Sequence, residues 1–256
     1  MARVLITGAS RGIGRGIAVA LAGQGHEVIA TARDVAALED VPAALKLRLD
    51  VTDQASVDAA LAASGRVDVL VSNAGTTVRA PVETVPLDAV RDLFELNTFG
   101  ALRVAQGVLP QMRERGSGQL IFVSSVQGRF VIPLIGPYGA SKHALEALAE
   151  TIAIESGRFG ISVHILEPPA VNSGGAERSS SYLDDDSPYR PLLGKLGPFR
   201  GDPVSVEEVA EAVAATIRDG AKAPLRAGVG ESGVRQLAAR KAAPDTVPFL
   251  VAPLEW

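Results

Sequence analysis

Short runs of Val, Ile and Leu alternate along most of the chain with segments of helical period, and no other feature restricts the fold so strongly. The runs are Val4-Leu5-Ile6, Val28-Ile29-Ala30, 45–49, 67–71, 120–123 and 161–166. Between and after them, apolar spacing predicts helices over 12–22, 53–63, 87–113, 138–159 and 205–219. A continuous apolar run suits a strand buried on both faces, and strands that alternate with helices form a parallel sheet covered on both sides. The expectation is therefore an α/β fold built on a doubly wound parallel sheet. With 47% hydrophobic residues, the 256-residue chain can bury one large core, and no repeat or low-complexity tract marks a boundary. Residues 1–256 are read as a single domain.

One stretch interrupts the rhythm. Residues 168–203 combine several prolines and glycines with a serine run at 179–181 and an acidic run at 184–186. A long irregular insert in a compact domain is usually functional, and it is expected to form a substrate lid. The tail 242–256, with Phe249, Leu250, Val251, Leu254 and Trp256, is too apolar to stay solvated and is expected to dock on its own core or on another subunit.

Composition removes several chemistries. There is no cysteine, hence no thiol nucleophile, disulfide or Cys-ligated metal, and His26, His143 and His164 are too scattered to form a metal cluster. No metal site is expected, and His143 and His164 are read as structural. The net charge of −4, with basic residues dispersed, gives no footprint for nucleic acid. No charge-free apolar run approaches the roughly 18–20 residues of a membrane span, and Met1-Ala2-Arg3 leads straight into a strand. The expected address is the cytoplasm.

The segment Thr7-Gly8-Ala9-Ser10-Arg11-Gly12-Ile13-Gly14 joins the first strand to the first helix. Its glycines allow a sharp turn and close approach to a pyrophosphate, and free N–H groups at a helix start attract negative charge. The spacing also serves a plain strand-to-helix turn, and the loop alone does not establish a nucleotide site. The second strand ends Ala30-Thr31-Ala32-Arg33 with no carboxylate at its tip. A carboxylate there would accept from the ribose hydroxyls of NAD, whereas Arg33, with Arg11 as a second cation, suits the 2′-phosphate of NADP. Asp34 lies one step further and is read as a helix cap or a solvated charge.

Tyr138 and Lys142 stand at i and i+4 at the start of a predicted helix and share a face. An ammonium near a phenol favours the phenolate and brings proton transfer closer to neutral pH. Such a pair is common by itself and gains meaning only from its company. Asn97-Thr98-Phe99-Gly100 is weak helix-forming sequence inside an otherwise strong amphipathic segment, which predicts a kink or a functional interruption.

The glycine loop, Asn73-Ala74-Gly75, Asn97, Ser124-Ser125 and Tyr138-Gly-Ala-Ser-Lys142 together resemble, in order and spacing, the short-chain dehydrogenase/reductase family over about residues 3–230. The resemblance implies a one-domain Rossmann-type sheet of about seven strands and hydride transfer between a nicotinamide and a carbonyl or alcohol carbon. By it, Tyr138 is the proton donor or acceptor, Lys142 contacts the nicotinamide ribose and holds the phenol down, Ser125 bonds the substrate oxygen, and Asn97 helps hold a relay water. Ser124 is the weaker candidate of the serine pair. Gly8, Ser10, Arg11, Gly12, Ile13 and Gly14 form the phosphate loop, Asp50 and Val51 meet the adenine, and Asn73, Ala74 and Gly75 support the sheet and the adenosine ribose. The family usually reads Pro-Gly-x-Val-x-Thr after the sixth strand, where this chain has Pro168-Pro169-Ala170-Val171-Asn172-Ser173. Pro168, Val171 and Ser173 are carried over as cofactor contacts, while Pro169 replaces a glycine and removes a backbone donor.

Leu166-Glu167-Pro168, Pro224-Leu225-Arg226 and the segment after Ser141 look most like the branch of 17β-hydroxysteroid and retinol dehydrogenases. That implies a lipophilic ketone or alcohol, with a pocket drawn from Phe130, Val131, Ile132, Leu134 and Ile135 and from the lid residues Tyr182, Tyr189, Leu192, Leu193, Leu196 and Phe199, unless the lid's apolar residues only pack it shut. The resemblance also implies a homodimer or homotetramer. A 3-oxoacyl thioester or polyketide-type ketoreductase is the alternative, disfavoured because the acidic run at 184–186 would repel an acyl carrier. A non-catalytic dinucleotide-binding protein is the remote one, and the presence of Asn97, Ser125, Tyr138 and Lys142 together argues against it.

Overall fold

A computed structural model describes residues 1–174, 180–195, 202–246 and 249. Its strands are β1 (Arg3–Ile6), β2 (Glu27–Ala32), β3 (Leu45–Arg48), β4 (Val69–Ser72), β5 (Val78–Arg79), β6 (Gly118–Val123), β7 (Ile161–Glu167), β8 (Ser180–Ser181) and β9 (Arg226–Gly228). The helices, numbered in chain order, are α1 (Gly12–Gly23), α2 (Gln54–Ser64), α3 (Leu87–Phe94), α4 (Gly100–Arg115), α5 (Gly136–Ser156), α6 (Val206–Asp219) and α7 (Gly230–Ala242). Seven strands form one sheet in the order β3-β2-β1-β4-β6-β7-β9, with every neighbouring pair parallel.

Alternation along the strands divides the core into two layers, because successive side chains leave a strand on opposite faces. Val4 and Ile6 pack with Ile17 and Leu21 of α1 and Val209 and Val213 of α6. Leu5, between them, packs with Val57 of α2, Val104 and Val108 of α4 and Leu145 of α5. The fold is therefore a Rossmann-type sheet with helices on both faces, as expected. Strand order reverses between β1 and β4, and a crevice opens there at the carboxyl ends of the strands, where this architecture binds ligands.

Helix starts follow local chemistry. The Asp53 carboxylate accepts from the Ala55 N–H at 3.1 Å and caps α2. At α6, Ser205 Oγ accepts from Glu208 N–H at 3.0 Å while Glu208 Oε2 accepts from Ser205 N–H at 2.8 Å, a reciprocal capping box. Ser205→Ala should lower unfolding stability by about 1 kcal/mol, read as a drop in the urea midpoint with unchanged slope. An unshifted midpoint would mean that the cap contributes nothing.

The single helix expected over 87–113 is broken. A π-helical turn, Glu95–Phe99, separates α3 from α4 and contains the weak helix-forming sequence around Asn97. The stretch 168–203 carries regular structure: β8 pairs with β5, and Arg190–Lys195 forms a 3-10 helix. Leu183 and Leu192 pack on Phe130, Ile132 and Leu134, so much of the apolar surface expected to line a pocket is spent on a small core of its own. Phe249 joins that core edge-on to Phe130, with ring centroids 5.4 Å apart. Ser179, Leu196, Phe199, Leu250, Val251, Leu254 and Trp256 lie outside the described residues.

Candidate active site

The crevice is built first by the loop after β1. Thr7 Oγ1 accepts from the N–H groups of Asn73 and Ala74 at 2.9 and 3.0 Å. Asn73 Nδ2 returns hydrogen bonds to the carbonyls of Thr7 and Gly8 at 3.0 and 3.3 Å. The Asn73-Ala74-Gly75 turn is thereby fastened to the glycine loop. Glycine is obligatory at position 14, where a Cβ would stand 2.2 Å from the Gly8 carbonyl oxygen. Gly12, at φ +51°, lets the loop turn against Ser173. A side-chain-free loop ahead of a helix N-terminus fits the pyrophosphate of a dinucleotide.

At the end of β2, Arg33 is exposed and faces the same crevice. Asp34 Oδ1 accepts from Ala36 N–H at 3.0 Å, a local turn bond, and Asp34 also lines the crevice. Burial works to raise the Asp50 carboxyl, but hydrogen bonds from Thr52 and the Arg33 and Arg48 guanidiniums outweigh it and hold the group below its ordinary range.

The other end of the crevice gathers Ser125, Tyr138 and Lys142. Ser125 ends the β6 segment, where its Oγ accepts from Gln127 N–H at 3.2 Å and donates to the Pro168 carbonyl at 3.3 Å. The Tyr138 ring packs against a small cluster of Val78, Ala80 and Leu93. Lys142 Nζ donates to the Val123 carbonyl at 3.0 Å and lies 5.8 Å from the Tyr138 ring centroid. Burial pushes the phenol up to about 12, against a lowering hydrogen bond with Ser125. Burial also pushes Lys142 down to about 8, although the Glu146 charge opposes this. Desolvation is the largest influence on both groups, opposed at Tyr138 by Ser125 and at Lys142 by Glu146.

Of the catalytic and cofactor-binding residues expected, Asn97 alone lies outside the crevice lining. It is 1% exposed, and its side chain accepts from Thr76 N–H at 2.9 Å while donating to the Thr76 carbonyl at 2.9 Å and to Ser141 Oγ at 3.1 Å. Ser141 Oγ in turn donates to the Tyr138 carbonyl at 2.8 Å. The π turn delivers an amide that ties the Gly75-Thr76 segment to the first turn of the helix carrying Tyr138 and Lys142.

A buried polar cluster behind Lys142 was not visible in the sequence. Ser124 Oγ donates to Glu146 Oε1 at 2.7 Å, and Arg226 bridges Glu146 at 3.2 Å and Glu150 at 2.8 Å. Gly128 makes room, since a Cβ there would stand 1.9 Å from Glu146 Oε1. Glu167, 2% exposed, is pushed up to about 8 by burial and by the charge and hydrogen bond of Glu146. Between the ordinary 4.5 and about 8, the folded chain keeps a proton that the unfolded chain has lost. Stability contributed by Glu167 is therefore full below this window and falls as pH rises through it. The thermal midpoint of Glu167→Gln, relative to the parent protein, should climb from pH 5 to pH 8, and a constant difference would contradict the assignment.

The altered loop after β7 is held in place. Ala170 O accepts from Val204 N–H at 2.9 Å and Asn172 N–H donates to Val204 O at 3.0 Å, so residues on both sides of Val171 are fixed to the segment before α6. Pro169 packs near Gly233 of α7, where a Cβ would meet its Cδ at 3.2 Å. His143 and His164 each engage a backbone carbonyl, of Gly139 at 2.8 Å and Pro224 at 3.0 Å.

One cleft of about 540 Å³ brings these parts together. Gly8, Ser10, Arg11, Gly12, Ile13, Gly14, Arg33, Asp50, Val51, Asn73, Ala74, Gly75, Ser125, Tyr138, Lys142, Pro168, Val171 and Ser173 all line it. Residues 2–183 match the family model described as short chain dehydrogenase. The chain belongs to the short-chain dehydrogenase/reductase family. It is 36% identical over 229 residues to an uncharacterized oxidoreductase, YusZ, of Bacillus subtilis, covering 80% of this chain and 81% of that protein. Mouse 17-beta-hydroxysteroid dehydrogenase type 1 is 42% identical over 191 residues, 68% of this chain and 56% of that one. Human retinol dehydrogenase 8 is 39% identical over 66% of this chain and 58% of its own length. The chain thus spans less than two thirds of these last two relatives. A solved short-chain dehydrogenase from Streptomyces avermitilis superposes with a TM-score of 0.83 at 39% identity, covering 93% of this chain and 90% of that one. As a short-chain dehydrogenase/reductase of the 17β-hydroxysteroid and retinol dehydrogenase branch, the protein is an oxidoreductase that binds a nicotinamide dinucleotide. No helix of the described residues is long and apolar enough to cross a membrane.

Proposed function

We propose that this short-chain dehydrogenase/reductase uses NADP(H) to interconvert a ketone and a secondary alcohol on a lipophilic substrate. The observation that carries the reading is the meeting of Ser125, Tyr138 and Lys142 at one end of the cleft whose other end holds the glycine loop and Arg33. The dinucleotide supplies the hydride when bound, and the chain's own residues supply the rest. Ser125 Oγ orients the substrate oxygen. Tyr138 Oη delivers a proton to that oxygen in reduction, a role suited to a phenol held in its protonated form by burial. Lys142, fixed by the Val123 carbonyl, is the cation on the same helix face that assists the reverse transfer. Asn97 keeps the Gly75-Thr76 turn in register with α5.

Arg33 supports NADP over NAD, because an exposed guanidinium at the tip of β2 is a charge-assisted partner for a phosphate, while one oxygen of the neighbouring Asp34 is engaged by the Ala36 N–H. Ile132 and Ile135 supply the apolar part of the cleft near Tyr138. A homo-oligomer in the cytoplasm belongs to the same proposal. The test is a panel of ketones and secondary alcohols with NADPH, NADH and their oxidised forms. Turnover of apolar ketones with NADPH in preference to NADH is expected, and failure of every ketone and alcohol with both cofactors would overturn the reading.

A further inference from the structure

The cleft holds an arginine that none of the roles above uses. Arg79 ends β5 and lines the same cleft as Ser125 and Tyr138. Its Nε is fully buried and has no hydrogen-bond partner, and its guanidinium forms no ion pair among the described residues. Other half-buried arginines are matched: Arg3 pairs with Glu27, Arg103 with Glu95 at 2.7 Å, and Arg226 with Glu150 at 2.8 Å. No carboxylate of the acidic run at 184–186 pairs with Arg79 among the described residues, and Asp185 pairs instead with Arg190 at 2.7 Å. Leaving a buried donor of a charged group unpaired is costly, and a folded chain bears that cost where a ligand completes the site.

The strand that carries Arg79 is held on three sides. Its carbonyl accepts from Tyr182 N–H at 2.8 Å, it is in register with Ser181 of β8, and the next residue, Ala80, donates its N–H to Leu134 O at 2.8 Å. Leu134 adopts φ 65°, a left-handed conformation unfavourable for a branched residue, directly opposite this strand. Val78 and Ala80 turn into the cluster with Tyr138 and Leu93, and alternation therefore directs Arg79 to the opposite face of the strand. A second polar group is unsatisfied in the same cleft. Gln127 is 9% exposed, its backbone N–H donates to Ser125 Oγ at 3.2 Å, and its side-chain Oε1 is buried without a partner. Rotating that amide by half a turn exchanges acceptor for donor, so it can meet either a hydroxyl or an oxyanion.

We propose that Arg79, with Gln127 beside Ser125, recognises an anionic group on the substrate, so that the natural ketone is an amphiphile with an apolar body and a carboxylate or phosphate. This rests on the ketone-reductase reading and narrows its substrate class. Guanidinium forks bind carboxylate and phosphate alike, and the two sources are separable only by experiment.

The test uses the full chain with matched substrate pairs of one length. One pair is an aliphatic keto acid and its methyl ester, and the other is a 3-oxoacyl coenzyme A and the corresponding N-acetylcysteamine thioester, which lacks phosphate. The anionic member of one pair should be favoured about ten- to a hundredfold in kcat/KM, and Arg79→Leu should bring that ratio close to one while Arg79→Lys restores part of it. The favoured pair identifies carboxylate or phosphate. Equal use of both members of both pairs, or a preference that survives Arg79→Leu, would overturn the proposal. Calorimetric binding of the hydroxy acid and of 3-hydroxyacyl coenzyme A, compared between parent and Arg79→Leu, decides the case without turnover. Tighter binding to the parent without reduction of any ketone would refute the reductase reading and keep the anion site, whereas equal binding would refute the anion site alone.

Discussion

Tyr138→Phe should lower kcat for ketone reduction by about 10²–10⁴-fold while NADPH still binds. The substitution removes one oxygen and leaves the ring, whose packing against Val78, Ala80 and Leu93 is apolar and unchanged. Burial also governs the ionisation of the phenol. Pushed up to about 12, it keeps its proton across the whole neutral range, as the proposed donor role in reduction requires. Oxidation needs the phenolate, so its rate should climb with pH well above neutrality while reduction does not. Full activity in the phenylalanine variant, with an intact fold by circular dichroism, would remove Tyr138 from the chemistry.

Arg33→Ala should weaken NADPH about ten- to a hundredfold and NADH far less, because one charge-assisted phosphate contact contributes on the order of 1.5–3 kcal/mol. Some loss of NADH is expected, since the Arg33 charge also helps hold Asp50 ionised on the neighbouring loop. Competitive titration of both reduced cofactors against the parent and the variant gives the ratio. Equal losses would show that Arg33 is a general adenosine-loop residue and that discrimination lies elsewhere.

The sheet was legible because strands buried on both faces leave uninterrupted apolar runs, and the six runs in the sequence correspond to β1, β2, β3, β4, β6 and β7. The seventh, β9, was not, since Arg226-Ala227-Gly228 is too short and mixed to show a period, and α7 after it has a largely polar pattern. The interruption at Asn97 was legible from poor helix formers in a good helix, and the π turn falls on it. The cluster of Ser124, Glu146, Glu167 and Arg226 was hidden because its members come from a strand end, a helix and two further strands, with no spacing to connect them. The burial of the phenol was hidden for a related reason. A pair at i and i+4 reveals charge proximity but not desolvation, and desolvation dominates here. Arg79 gave no signal in sequence, as a lone arginine beside a valine reads as an exposed strand end until its surroundings are known.

The proposed reaction is direct hydride transfer to a carbonyl carbon in the cleft of Ser125, Tyr138 and Lys142. It is tested most directly with NADPH carrying deuterium at the transferable C4 position and an apolar ketone accepted in the substrate panel. Mass spectrometry of the alcohol should find one deuterium on the carbinol carbon, with NADP formed in equal amount. Alcohol formed without the label, or NADPH consumed without alcohol, would contradict the account.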